Sequence, residues 1–333
     1  MRVVIADPPA FTPPYDHELA SALALAGAEV ELVTSRFRFG EAPVPAGYRR
    51  RELFYPLSSR LFRRSRLRLP LKVAEHPLGL ARLARVQADV VHVQWLAAPE
   101  LDVRLLRHRA PLVLTAHDLL PRRTAHKTAL WRRLFGRFER IVVHSERGRE
   151  TLAAFGVDAD SLRVIAHPVS PGGAIGREDG RTVLALGLVR PYKQLEHARA
   201  AVARIPGAEL RVAGSESAFL PETDIDRALA ASTVAVFPYR AELDQSGALL
   251  RALGAGMPAV VYDVGGLAEP VRRFDAGRVV RPDDVDGLAE ALRELLDDAD
   301  ALAAARRGAF RAREELTWDA AAAAHLDLYR ELL

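Results

Sequence analysis

FPYRAELDQSGALLRALGAGMPAVV, residues Phe237 to Val261, decides the fold. An apolar run ends at Pro238 and gives way to a polar loop. A helical pattern opens at Gln245, Ser246 and Gly247 and closes at Gly254, Ala255 and Gly256, and a second apolar run follows at MPAVVY (257–262). Strands apolar on both faces with a helix between them predict parallel neighbours in a sheet covered on both sides. Ser246 suits an N-cap and Gly247 removes side-chain bulk, leaving free N–H groups able to hold a phosphate. Taken alone, the Ser-Gly pair is equally an ordinary cap.

The same alternation extends in both directions. Upstream stand RVVIA (2–6), EVELVT (29–34), DVVHV (89–93), PLVLTA (111–116), RIVVHS (140–145) and LRVIAH (162–167), with a first helix at about 16–27 in which Asp16 is read as a cap. The pattern restarts at RTVLALG (181–187) and continues through ELRVAG (209–214), TVAVFP (233–238) and GRVV (277–280), and the chain closes on helical segments. SPGGAIGREDG (170–180), rich in glycine and charge, is the expected linker. The prediction is an α/β protein of two doubly wound, Rossmann-like domains facing a cleft. Residues 1–169 form the first, 170–315 the second, and the helix at 316–333 packs back toward the first. Open parallel sheets bind ligands beyond the carboxyl ends of their strands, so the site residues should follow the strands.

A chain of 333 residues exceeds one comfortable core, in keeping with two domains of roughly 150 residues each. No apolar run approaches the roughly 18 residues of a membrane span, and Asp7 with two prolines interrupts the opening too early for a signal peptide. The expected address is the cytoplasm. With no cysteine in the sequence, disulfides, thiolate nucleophiles and Cys-ligated metals are excluded. Up to Pro168 the chain carries 27 Lys and Arg against 17 Asp and Glu; after it, 20 against 26. A basic first half suits an anionic ligand or surface.

Several constellations carry chemistry. LALGLVRPYKQLE (184–196) joins a strand, Gly187 and the cations Arg190 and Lys193 at a helix start, a set suited to a diphosphate; a solvated basic helix start is the alternative. DVGGLAEP (263–270) puts Gly265 and Gly266 after another strand at the same end of the sheet, so three loops should converge on one pocket. Asp224 with Asp226, and Asp284 with Asp286, resemble metal-binding pairs but stand at helix starts and are read as caps. Trp95 suits either stacking on a sugar or core packing. In RLFRRSRLRLPLK (60–72), Arg60, Arg63, Arg64, Arg66, Arg68 and Lys72 interleave with leucines and Phe62. Such a segment suits anionic lipid headgroups at roughly 1 kcal/mol per cation, or a solvated loop. No groove-reading motif or aromatic platform accompanies it, which disfavours nucleic acid, and no G-x-G-x-x-G follows the first strand, which disfavours a nicotinamide enzyme.

RPYK after a glycine, PY…DQSGALLRALGAGMPAVV, DVGGLAE and TWDAAAAAHLDLYREL, with VVHVQWL (90–96), LTAHDLLP (114–121) and VVHSERGRETL (142–152), resemble the family 4 retaining glycosyltransferases of GT-B fold. The likeness is to a subgroup with a Gln-Ser-Gly helix start in place of the usual paired glutamates. It implies metal-independent, cofactor-free transfer of a hexose from a nucleotide-diphosphate sugar to a hydroxyl of a glycan, lipid-linked or small-molecule acceptor. A peripheral position on the inner face of the plasma membrane would follow if residues 60–72 dock there. It puts Arg190 and Lys193 on the donor diphosphate, with Gly187, Gln245, Ser246, Gly247, Gly265, Gly266 and Glu269 around the donor. His117 would meet the transferred sugar, and His17 and Trp95 would line the acceptor side.

Two departures stand out. The positions of the two glutamates hold Leu243 and Arg251, and an arginine cannot accept from ribose hydroxyls, so Glu269 is the expected ribose acceptor and Glu242 or Asp244 the expected replacement for the first carboxylate. Only the 18 residues Ser215 to Ser232 separate ELRVAG from TVAVFP, so the second sheet is expected to lack a strand usual in the family. The missing carboxylates keep a non-catalytic nucleotide- or sugar-binding protein open as the alternative. A GT-B epimerase or phosphorylase is the third reading, the latter disfavoured by the absence of a cofactor-lysine motif.

Overall fold

Strand β1 (Arg2–Asp7) turns Val3 and Ile5 to one face and Val4 and Ala6 to the other, all fully buried, as a period of two between two covered faces requires. The computed structural model describes residues 1–38, 40–61, 65–121, 124–170, 175–177, 180–215, 220–240 and 245–333. From β1 the chain continues through α1 (Pro13–Leu25), β2 (Glu29–Ser35), β3 (Arg49–Phe54), α2 (Arg68–Leu83), β4 (Val90–Val93), α3 (Pro99–Leu105), β5 (Leu112–Thr115), α4 (Thr128–Phe135), β6 (Arg140–Val143), α5 (Glu146–Phe155) and β7 (Leu162–Val164). The second series is β8 (Thr182–Leu186), α6 (Leu195–Val202), β9 (Glu209–Ala213), α7 (Glu222–Ala230), β10 (Val234–Phe237), α8 (Gly247–Gly254), β11 (Ala259–Tyr262), α9 (Ala268–Phe274), β12 (Gly277–Val280), α10 (Val285–Asp297), α11 (Ala299–Glu315) and α12 (Trp318–Arg330).

Two compact units result: Met1–Ala166 with Trp318–Leu333, and His167–Thr317. The first holds a parallel seven-stranded sheet in the order β3-β2-β1-β4-β5-β6-β7. One face packs Val3, Ile5, Val90, Val113 and Val142 against α1 and α12 through Leu19, Leu23, Leu326 and Tyr329. The other packs Val4, Val91, Leu114, Ile141 and Val143 against Leu80, Leu83, Trp131 and Leu134 of α2 and α4. Helix α12 is fixed by a buried polar link as well: the ring of His92, on β4, meets Tyr329 Oη at 2.6 Å and Thr115 Oγ1 at 2.7 Å. Burial pushes the His92 imidazole well below its ordinary pKa, as expected of a neutral core histidine.

The second unit carries a parallel five-stranded sheet, β12-β11-β10-β8-β9. Among the described residues, α7 is the one helix between β9 and β10. The expected linker is tied into this unit where it is described: the buried Arg306 donates to the Gly176 carbonyl at 2.7 Å and to that of Arg177, whose own N–H donates to Ser232 O at 2.7 Å. Strand β3 was not anticipated. RRRELF lacks apolar alternation because it is an edge strand, largely solvated, with Arg51 paired to Glu31 at 2.6 Å; charge on an edge discourages pairing with other chains.

Asp16 is not a cap. The N-cap of α1 is Thr12, and Asp16 lies a turn inside, 1% exposed, against the carboxyl of Asp7, which is 0% exposed. The loop after β1 wraps the pair, with the N–H groups of Phe11 and Thr12 donating to Asp7 Oδ2 at 2.8 and 3.3 Å. Burial and then the neighbouring Asp7 charge hold the Asp16 carboxyl well above the ordinary range. The proton is kept in the folded state and lost in the unfolded one, so this stabilisation is complete below the unfolded value of about 3.9. It declines as pH rises toward the raised folded value, at up to about 1.4 kcal/mol per pH unit. Asp16→Asn retains a donor toward Asp7 without a proton to lose. Its melting temperature should gain on that of the parent as pH is raised from 5 to 9; parallel melting curves at every pH would contradict the shared proton.

Candidate functional site

In the second unit the parallel register sets the carboxyl ends of β8, β9, β10 and β11 along one edge, with Leu186 opposite Ala213 and Phe237 opposite Val261. Gly187 follows β8 with φ +90°, a conformation open mainly to glycine. Its N–H donates to Ala213 O at 2.9 Å, and Val189 N–H donates to Ser215 O at 2.9 Å, so the two loops run side by side. Space as well as φ is restricted here. A Cβ on Gly187 would stand 2.9 Å from Lys193 Nζ and 3.4 Å from Ala248 Cβ, and a Cβ on Gly214 would stand 2.0 Å from Gly187 O. The loop after β8, the lysine of RPYK and the first turn of α8 therefore converge.

Arg190 and Lys193 do not begin α6. They flank and end a 3₁₀ turn at Pro191–Lys193, and Gln194, at φ +43°, separates it from the helix. The turn is pinned by Gln194 Nε2, which donates to Asp283 Oδ1 at 2.7 Å. Lys193 folds back so that Nζ donates to Leu186 O at 2.9 Å and lies 5.2 Å from the centre of the Tyr239 ring. Burial, and then repulsion from Arg190, lower the Lys193 ammonium to about 8. Arg190 donates to its neighbour Val189 O at 3.1 Å.

Ser246 caps α8, its Oγ accepting from Leu249 N–H at 3.3 Å. Nothing lies within 4 Å of a Cβ built on Gly247, so the helix start faces open space beside a concentrated positive charge, an arrangement that favours an anion. Gln245 immediately precedes the cap. Gly265, at φ +49°, and Gly266 turn the chain after β11, and Glu269 stands in the first turn of α9. Glu242, Leu243 and Asp244 lie outside the described residues. Arg251, in the second glutamate position, pairs with Glu222 and with Asp226 at 3.3 Å. It fastens α8 to α7, so Asp226 serves an ion pair; Asp224 likewise pairs with Arg227 at 2.7 Å inside α7. Asp284 is a cap, accepting from Gly287 N–H at 2.9 Å.

In the first unit His117 follows β5, and its Nε2 donates to Gln94 Oε1 at 2.9 Å. Trp95 stacks on the imidazole at 5.0 Å and 13°, and Tyr15 of α1 meets it edge-on at 4.7 Å and 90°. Trp95 is itself held by Thr12, whose Oγ1 accepts from the indole N–H at 2.8 Å. The tryptophan thus positions the histidine. His17, two residues beyond Tyr15 and so on another side of α1, bonds Tyr48 Oη at 3.0 Å. The sequence reading missed Tyr15, Gln94, Gln194, Gly214 and Tyr239. Each follows or adjoins a strand that was read, but an isolated Tyr, Gln or Gly carries no spacing signal.

Two Rossmann-like units in one chain, one with an anion-favouring helix start, are the architecture of a GT-B protein. Residues 15–172 match Glycosyltransferase Family 4, and residues 180–298 match Glycosyl transferases group 1. The chain belongs to the family 4 glycosyltransferases of GT-B fold. It is 26% identical over 343 residues to the D-inositol 3-phosphate glycosyltransferase of Mycobacterium marinum, covering 84% of this chain and 72% of that one. In the first curated relatives it matches, the aligned part spans about a fifth of their length. Among solved structures, sucrose-phosphate synthase from Thermosynechococcus elongatus aligns with TM-score 0.78 at 20% identity, covering 100% of this chain and 99% of that one. HepE of Anabaena in complex with UDP-glucose aligns with TM-score 0.72 at 15% identity, covering 100% of both chains. At these identities the structural likeness establishes the fold.

Proposed function

We propose that the protein transfers a hexose, with retention and without a metal, from a nucleotide-diphosphate sugar to an acceptor hydroxyl. The observation that carries this reading is the convergence of Gly187, Lys193 and the start of α8, where a Cβ on Gly187 would stand 2.9 Å from Lys193 Nζ. A diphosphate fits that chemistry: backbone N–H groups, a helix dipole and an ammonium brought close together. Charge developing on the leaving phosphate would be met by Lys193, Arg190 and the N–H groups at Ser246 and Gly247, donors fixed before reaction and therefore effective in the transition state. His117, held by Gln94 and Trp95, is the group assigned to the transferred sugar. The departing phosphate itself takes the acceptor proton, so no separate base is assigned. The neighbour holding UDP-glucose supports a nucleotide-sugar donor.

Lys193→Ala should lower turnover about a hundredfold or more, with the first-formed product of the parent keeping the donor's anomeric configuration and turnover surviving a chelator. Because the Lys193 ammonium titrates at about 8, it is charged below that value, and the apparent affinity for donor should weaken as pH rises above it. Retained turnover in Lys193→Ala would sink the assignment, and nucleotide binding without any transfer would favour a non-catalytic role.

Docking on an anionic membrane surface is the second element of the reading, motivated by α2 and the turn before it. Leu67, Leu69, Val73 and Leu78 are 71%, 69%, 55% and 58% exposed, and Leu69 and Val73, one turn apart, share a side of α2. Arg63 and Arg64 of the basic segment lie outside the described residues, and no helix among the described residues is long and apolar enough to cross a membrane. Cosedimentation with phosphatidylglycerol vesicles should fall in Leu69→Glu/Val73→Glu; undiminished cosedimentation would argue against docking through α2.

A further inference from the structure

Tyr239 follows β10 in the second unit, close to Lys193 and to the start of α8. Its ring is locked in place. Phe237 meets it edge-on at 5.7 Å and 88°, Tyr192 at 5.8 Å and 85°, and Lys193 Nζ lies 5.2 Å from its centre, a cation held against an aromatic face. The backbone is pinned as well: Tyr239 N–H donates to Phe237 O at 2.9 Å, and Arg240 N–H donates to Tyr192 O at 2.8 Å, which ties the loop after β10 to the turn that carries Lys193.

The Tyr239 hydroxyl is the exception to this order. The residue is 2% exposed, and its Oη has no hydrogen-bond partner, although a buried O–H left unpaired is costly and in a native structure calls for a reason. Ser246, the cap of α8, is the polar side chain beside it. Burial pushes the phenol up and Ser246 acts on it in the opposite sense, yet the two hydroxyls stop short of a completed hydrogen bond.

The proton inventory of the pair decides its direction. A serine hydroxyl offers one proton and two lone pairs, and a phenol also has one proton to donate. One lone pair of Ser246 Oγ already accepts from Leu249 N–H at 3.3 Å. Were Ser246 to donate to Tyr239, the phenol proton would stay buried with no acceptor. When Tyr239 donates instead, it fills the second lone pair of Ser246, and the serine proton is the one left over. Ser246 adjoins Gly247, where nothing lies within 4 Å of a built Cβ. The serine can therefore give its proton to a group entering there, and the tyrosine cannot.

We infer that Tyr239 is a positioning residue for the donor diphosphate: it donates to Ser246 Oγ and so directs the Ser246 O–H to the phosphates, adding a side-chain donor to the N–H groups at the start of α8. A hydrogen bond ending on an anion is stronger than one between neutral groups, and successive O–H groups in a chain polarise one another. The phenol acts through the serine, so it matters only while the serine hydroxyl is present. The inference rests on the diphosphate site proposed above, and the test separates the two.

The full chain is titrated with ADP, GDP and UDP and with the matching nucleosides, without added metal, and is melted without ligand. For the nucleotide that binds most tightly, Tyr239→Phe should weaken binding about threefold or more and Ser246→Ala about tenfold, with the matching nucleoside little affected. Ser246→Thr, which keeps the cap and the hydroxyl, should retain most of the affinity. The double variant should bind no more weakly than Ser246→Ala, as expected of two groups acting in series. Ligand-free Tyr239→Phe should melt no lower than the parent, because it deletes a buried hydroxyl that makes no bond. Undiminished nucleotide binding in Tyr239→Phe, additive losses in the double variant, or an equal loss for the nucleoside overturns the inference. Nucleotide binding that depends on Lys193 but not on Tyr239 removes this inference alone. Absence of binding in the parent, or binding indifferent to Lys193→Ala, removes the diphosphate site and the inference with it.

Discussion

The close approach of two backbones, at Gly187 and Gly214, is the constraint on which the second unit's site depends. A methyl group on Gly214 would reach 2.0 Å from the Gly187 carbonyl, so the loops after β8 and β9 can lie side by side only where neither carries a side chain. That approach leaves room for Lys193 to turn back onto Leu186 O and brings its ammonium beside the first turn of α8. The Gln194–Asp283 bond and the face of Tyr239 hold the lysine in place. Burial that lowers its pKa toward 8 is the cost of keeping a cation in a restricted setting, a cost that an incoming diphosphate would reverse.

Each unit repeats the same solution at its sheet edge. Strands buried on both faces supply rigidity, and the loops at their carboxyl ends supply polar groups whose positions are fixed from behind. Behind His117 stand Gln94, Trp95 and Thr12, and behind Thr12 stands the Asp7–Asp16 pair through the N–H groups of the loop it organises. Lys72 Nζ stands over the ring of Tyr55, which His76 and Asp102 fix in turn. Arg251 shows the opposite case: a residue at a position that the family resemblance associates with a ligand, committed instead to the carboxylates of α7.

Most strands were legible because parallel, doubly covered strands are continuous apolar runs, as β1, β4, β5, β10 and β11 are, whereas β2 (EVELVTS) and the edge strand β9 (ELRVA) were legible by alternation. Strand β3 was not, since an exposed edge needs no apolar pattern and its arginines read as a loop. Glycine and the cap at Ser246 announced the second unit's loops, whereas Asp16 looked like a cap because a lone acid near a helix start usually is one. Only the packing of α1 against β1 reveals that its carboxyl faces Asp7. Likewise the basic stretch after β3 read as a surface feature, because the partner that draws Lys72 inward, Tyr55, is distant in role though near in sequence.

The most direct test is thermal denaturation of the full chain with a panel of nucleoside diphosphates and their sugars in the absence of metal. A ligand present at a hundred times its dissociation constant adds about 2.7 kcal/mol to stability. The arrangement of Gly187, Lys193 and α8 predicts that at least one nucleoside diphosphate raises the melting temperature and that the corresponding nucleoside, lacking phosphates, does not. A melting temperature unmoved by every nucleotide, or moved equally by nucleoside and nucleoside diphosphate, would contradict a diphosphate site at that helix start.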